Sequence, residues 1–145
     1  MYSARSVSLS NGGGGAFVRG SGLRTGPGDQ PVIPPTNEIS GNGTGIVAQT
    51  ANLELQGGVA ITDNRFDGIN ADQGTRVRSN GSTIARNGVN GITALKGSGV
   101  SFFGATTRVS ENTQAGLACD PTSHFSGNTS GIVNNPTGDV NCLPF

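Results

Sequence analysis

The chain has no tryptophan, one histidine, one methionine, one tyrosine and two cysteines, and charged residues make up only 12% of its 145 positions. A single histidine, His124, cannot build a His-based metal cluster, and two cysteines alone do not complete a zinc site. Lysine plus arginine and aspartate plus glutamate stand at nine each, a formal net charge of zero. There is therefore no basic surplus to hold nucleic acid or an acidic membrane surface. No apolar run approaches the roughly 20 residues of a membrane-spanning helix. The opening Met-Tyr-Ser-Ala-Arg-Ser-Val-Ser lacks the apolar stretch of a signal peptide. Either export is not signalled here or the chain is the end piece of a longer protein with further coils upstream; the second reading is preferred. No Gly-x-Ser-x-Gly nucleophile elbow occurs. The run Gly12-Gly13-Gly14-Gly15 lacks the Lys-Ser/Thr of a phosphate loop and reads as a flexible turn.

What is present is glycine, 25 residues of it, with abundant Asn, Ser and Thr. Gly and Asn disfavour helix interiors. Disorder usually combines low hydrophobicity with high net charge, whereas here the charge is zero and the apolar residues are regularly spaced. Gly45-Ile46, Gly68-Ile69, Gly91-Ile92 and Gly116-Leu117 lie 23, 23 and 25 residues apart. Asn64, Asn87 and Asn112 each precede one of these glycines by four residues, and Ile61, Ile84 or Val109 stands three residues before each Asn. A fixed period of this size marks a solenoid.

Within one period, Ile69–Asp72, Thr75–Ser79 and Ser82–Ala85 form three short alternating segments broken by Gly, Asn or Asp. Three strands per 23 residues, each turn rising one strand spacing of roughly 4.8 Å, describe a parallel β-helix of four to five coils. Ile46, Ile69, Ile92 and Leu117 form one inward row, Ala48, Ala71, Ala94 and Cys119 a second, and Ile61, Ile84 and Val109 a third. The second strand contributes Leu53, Leu55, Val77, Val100, Phe102 and Phe125. Near the C-terminus Ile132 lies 16 residues after Gly116, as Ile61 does after Gly45. Counting by strand then makes Asn135 a further Asn of the row, Asp139 the next ruler position, and Val140 and Cys142 the equivalents of Leu117 and Cys119.

That register places the two cysteines in one inward row on adjacent coils, within disulfide range. A disulfide closing the last coil and a pair of buried free thiols both fit. For Asn64, Asn87, Asn112 and Asn135 the structural reading is preferred. Asn tolerates a left-handed backbone at a tight corner and bonds its own turn, and identical amides one coil apart can ladder. Asp63, Arg86 and Glu111 just before them read as a surface charge ladder. One outward patch remains as a candidate binding site: Asn70, Asp72, Arg76 and Arg78, with Glu54 one coil below and Phe103 one above. His124 reads as a solvated surface residue. The first 38 residues read as a degenerate N-terminal coil followed by a Pro/Gly-rich loop from Arg24 to Thr36, ahead of the regular coils from 39 to 145. Leu143-Pro144-Phe145 is expected to fold over the end, with Pro144 halting pairing.

The stretches Ile61-Thr-Asp-Asn-Arg-Phe-Asp-Gly-Ile69 and Ile84-Ala-Arg-Asn-Gly-Val-Asn-Gly-Ile92 resemble the right-handed parallel β-helix repeats of the pectate-lyase-like superfamily, over about Ile39 to Cys142. Handedness comes from that resemblance. The superfamily holds polysaccharide lyases, glycoside hydrolases, phage tailspikes and surface proteins, so the fold does not carry the activity with it. Its lyases typically hold calcium on clustered acidic residues and use an arginine or lysine as base; its hydrolases use clustered Asp. Here Asp63 and Asp67 have Arg86 and Asn90 as equivalents one coil on, and Asp72 has Leu95 and then Asp120, so no carboxylate row forms. The expectation is a secreted or surface β-helix scaffold, structural, adhesive or carbohydrate-binding, with a polysaccharide as partner and no cofactor, nucleic acid or membrane insertion. Its rival is a fragment of a polysaccharide lyase or glycoside hydrolase, for which calcium would be the cofactor.

Overall fold

The computed structural model describes residues 37–144, with the side chains of 38–142, and four strands upstream of them. The elements are β-strands in three all-parallel sheets, visited in turn. The first sheet holds β1 (Tyr2–Ala4), β4 (Gly22–Thr25), β7 (Asn52–Leu55), β10 (Arg76–Ser79), β13 (Gly99–Phe102), β16 (His124–Gly127) and β19 (Leu143–Pro144). The second holds β2 (Ser8–Leu9), β5 (Asn37–Ser40), β8 (Val59–Thr62), β11 (Thr83–Ala85), β14 (Arg108–Ser110) and β17 (Ile132–Val133). The third holds β3 (Ala16–Arg19), β6 (Ile46–Gln49), β9 (Ile69–Asp72), β12 (Ile92–Ala94), β15 (Ala115–Cys119) and β18 (Gly138–Asn141). From β5 to β19 the chain makes about five turns of a β-solenoid, three strands to a turn, each strand pairing with its counterpart one turn away. Backbone groups are thereby satisfied between turns.

The register follows the repeat. Ile69 pairs with Ile46 and Ile92, and Ile92 with Leu117. Ile84 pairs with Ile61 and Val109, and Val109 with Ile132. Leu117 pairs with Val140, so the count by strand continues the period through the tail. The inward rows at Ile46, Ile61, Ile69, Ile84, Ile92, Val109 and Leu117 are fully buried, and each such side chain contributes roughly 1.5–3 kcal/mol. Phe102 and Phe125 pack edge to face at 5.2 Å in the C-terminal part of the core.

The ruler glycines are required by close approach. A Cβ at Gly68 would lie 2.7 Å from the Gly91 carbonyl oxygen, 2.8 Å from the Asn87 Nδ2 and 2.8 Å from an Ile84 methyl, and Gly45, Gly91 and Gly116 are equally enclosed. Each glycine lets the next turn's backbone and Asn side chain close over it. At Asp139 the ruler carries a side chain instead, and that carboxylate does the work of a further Asn: its Oδ1 accepts from the Asn135 backbone N–H at 3.1 Å and from Nδ2 at 2.9 Å.

Three expectations are corrected. The left-handed residue at this corner is the one before each Asn: Asp63, Arg86, Glu111 and Asn134 have φ of 56°, 55°, 58° and 62°. The Asn side chains are free of that strain and turn inward as a ladder. Second, Arg24 and Thr25 are not loop but the end of β4, in register with Glu54 and Leu55. Third, Leu143 and Pro144 do not fold over the end; they pair with His124 and Phe125 as an edge strand, where a proline's missing N–H is tolerated. The turn at Gly12–Gly15, residues 26–36 and Phe145 lie outside the described residues.

Candidate functional site

Polar residues of the repeat separate into those that build its corners and those left on its faces. In the Asn corner, each Oδ1 accepts two hydrogen bonds from the neighbouring turn. The backbone N–H and Nδ2 of Asn64 donate to Asn87 at 3.2 and 3.0 Å, those of Asn87 to Asn112 at 3.1 and 3.0 Å, and those of Asn112 to Asn135 at 3.1 and 3.0 Å. The second Nδ2 hydrogen goes to a backbone carbonyl, Ile39 for Asn64 and Ile61 for Asn87. All four are buried. Asn42, which the period misses, is a further rung: its N–H and Nδ2 donate to Asn64 Oδ1. The signal was hidden because Asn42 precedes Gly45 by three residues rather than four.

The other two corners carry hydroxyl ladders that the sequence reading passed over. Thr75, Ser98 and Ser123 are buried between the third and first sheets. The Ala51 N–H donates to Thr75 Oγ1 and the Ser98 N–H to Ser123 Oγ, while the Thr75 and Ser98 hydroxyls bond nearby carbonyls. Between the first and second sheets, Ser79 bonds Ser82 and, at 2.8 Å, Thr107. The same period would have found these rows, since Thr75, Ser98 and Ser123 stand immediately before Arg76, Gly99 and His124. Outside the Asn corner, Arg86 grips Asp63 with Nε and Nη2 at 2.9 and 2.7 Å, which holds the Asp63 carboxyl below its usual range. Both side chains are half-exposed, so the pair contributes at most about 1 kcal/mol. Asp120 accepts from the Lys96 N–H and from Thr122, and these bonds lower its carboxyl to about 2.

The outward patch divides. Asn70 and Asp72 lie on β9 of the third sheet, whereas Arg76, Arg78 and Glu54 lie on the first. Asp72 is not exposed: it is 9% accessible, its Oδ1 accepting from the Gln73 N–H and its Oδ2 from Lys96 Nζ at 3.2 Å. Alternation along β9 would turn it outward, but the chain bends into a left-handed Gln73 immediately afterwards (φ 56°) and the carboxylate packs into that corner. Asn70 Nδ2 reaches Asp67 Oδ2 at 3.4 Å. Glu54 is in register with Arg78 and accepts from Gln56 at 2.6 Å. The half-buried Phe103 carries the Arg78 guanidinium over its ring, 4.6 Å from the centroid, a cation–π contact that orients the arginine.

Arg76 and Arg78 share their face with residues from the next two turns. Arg76, Gly99 and His124 are in register, as are Arg78, Ser101 and Ser126. Together they line a shallow trough of about 200 Å³ on the outer side of the first sheet. It exists because position 99 has no side chain: a Cβ there would stand 2.7 Å from His124 Nε2. His124 is half-buried against this floor rather than fully solvated. Guanidinium, hydroxyl and imidazole groups converge on the trough, and among the described residues no carboxylate lines it. Such a surface suits a polyol or an anion; it does not offer the paired carboxylates of glycoside hydrolysis. Among the described residues no three His, Cys, Asp or Glu side chains group so as to hold a metal ion.

No protein-family model, no curated protein and no solved structure matches this chain.

Proposed function

We propose that the chain is a carbohydrate-binding, adhesive β-solenoid of the right-handed pectate-lyase-like kind, working outside the cell or at its surface, and that the trough of the first sheet is where it meets a polysaccharide. The observation that carries this reading is the convergence of Arg76, Arg78, Ser101, His124 and Ser126 on a floor opened by Gly99. A glycan laid along the stack meets a new rung every ~4.8 Å, and the two guanidiniums favour a chain bearing carboxylate or sulfate groups. The trough is smaller than the roughly 300–1,000 Å³ of drug-sized pockets, which fits one sugar unit at a time on an open face. The carboxylates Asp63, Asp67, Asp72 and Asp120 are each engaged by a neighbouring turn, by Arg86, the Asn90 N–H, Lys96 and the Lys96 N–H respectively, and this favours binding over hydrolysis or elimination.

Affinity electrophoresis against acidic and neutral polysaccharides, with and without calcium, tests the reading. Retention on an acidic polysaccharide without release of unsaturated or reducing ends is expected. Arg76→Ala with Arg78→Ala should weaken it by about a hundredfold or more, since two charged hydrogen bonds at about 1.5–3 kcal/mol each are lost, at an unchanged melting temperature. Retention unaffected by the double substitution would dismiss the trough, and release of unsaturated or reducing ends would favour an enzyme.

A further inference from the structure

Cys119 and Cys142 are joined by a disulfide, S–S 2.06 Å, across a sequence separation of 23. The C-terminal wall of the trough lies inside that loop: β16, with His124 and Ser126, is followed by β17 and β18 before the second cysteine. These strands bury fewer apolar side chains than those upstream, Phe125 and Ile132 among them. β17 offers two residues to β14, β18 has no fully buried residue, and the outer neighbour of β16 is a two-residue strand ending in proline. By contrast β9 and β12 bury Ile69, Ala71, Ile92 and Ala94 completely. A covalent bond stands where core burial thins to Phe125 and Ile132.

Both cysteines are half-buried and border an open hollow of about 340 Å³ with Asp120, Pro121, Val140 and Asn141, so a small thiol has access to them. We propose that this disulfide is a redox latch on the trough: reduction frees the segment from Ser123 to Asn141 and removes the His124–Ser126 wall, while the upstream turns stay folded. The chemistry is thiol–disulfide exchange with a dithiol reductant. Its thiolate attacks one sulfur, the Cys119–Cys142 bond breaks and a mixed disulfide forms. The reductant's second thiol then displaces the remaining cysteine. The dithiol leaves as its own disulfide, having supplied two electrons and two protons to the two cysteine thiols. Release of the segment stands on the packing; its effect on a ligand rests on the proposed role of the trough.

Hydrogen exchange by mass spectrometry, on oxidised protein and on protein reduced with dithiothreitol, separates the two. Peptides covering 124–141 should lose protection on the order of a hundredfold on reduction, the scale of a closed loop this long, while those covering 61–94 keep theirs. Cys119→Ser with Cys142→Ser should give the released pattern with or without reductant. Unchanged protection at 124–141 would overturn the latch, and so would an equal loss throughout, which would make the bond a staple of the whole fold. Retention on polygalacturonate by the oxidised form and not the reduced form supports the coupling to the trough, whereas equal retention by both overturns it. If neither form is retained while 124–141 still opens, the binding reading fails and the latch stands.

Discussion

Replacing Asn87 by alanine is expected to destabilise the protein by about 3–5 kcal/mol, a large part of the 5–15 kcal/mol typical of a folded domain. The side chain is fully buried and joins three turns. Its Oδ1 accepts from the Asn64 N–H and Nδ2, and its Nδ2 donates to Asn112 Oδ1 and to the Ile61 carbonyl. Alanine removes all four bonds and leaves a backbone N–H unpaired away from water, and each buried group so orphaned costs about 1–3 kcal/mol. Urea unfolding with an unchanged slope measures the difference as a shift in midpoint. Asp63→Asn, which removes only a half-exposed ion pair at the same corner and keeps a side chain that tolerates the left-handed backbone there, serves as the control and should cost no more than about 1 kcal/mol. Equal effects would mean that the ladder contributes no more than a surface pair.

Gly91→Ala is expected to cost about 3 kcal/mol, the upper part of the usual range for overpacking. The added methyl would stand 2.5 Å from Val109 Cγ1, 2.7 Å from the Gly116 carbonyl oxygen and 2.9 Å from Asn112 Nδ2. The side chain has some room to rotate; the carbonyl belongs to the next turn and cannot retreat without parting β12 from β15. Gly57→Ala meets only the Asn80 carbonyl at 3.8 Å, and thermal unfolding should show it close to the parent. A Gly91 variant as stable as the Gly57 variant would mean that the ruler glycine is not needed for close approach.

Much of the fold is legible because a solenoid writes the same instruction repeatedly. Ile46, Ile69, Ile92 and Leu117 can be aligned without knowing anything else, and a one-residue slip would turn the whole row to solvent. The division of labour at the corner is not legible. Asn is both the side chain that best tolerates a left-handed backbone and the one that best ladders, so the pattern alone cannot assign the left-handed φ to Arg86 rather than Asn87. Asp72 misleads for a related reason: period-two alternation holds along β9 but lapses at its last residue, where the chain turns. The trough depends on Gly99 lying beside His124, 25 residues away. Neither residue draws notice alone; the register that joins them makes the depression.

The central claim is that buried side-chain ladders, above all Asn64, Asn87 and Asn112, clamp one turn to the next. Residue-resolved amide exchange by NMR tests it most directly, because the backbone N–H of each of these residues is donated to the side chain of the next rung. With the Cys119–Cys142 disulfide intact, the account predicts that these three amides exchange only through global unfolding, as slowly as those of Ile69 and Ile92 in the core strands. Exchange orders of magnitude faster than in those strands would contradict it.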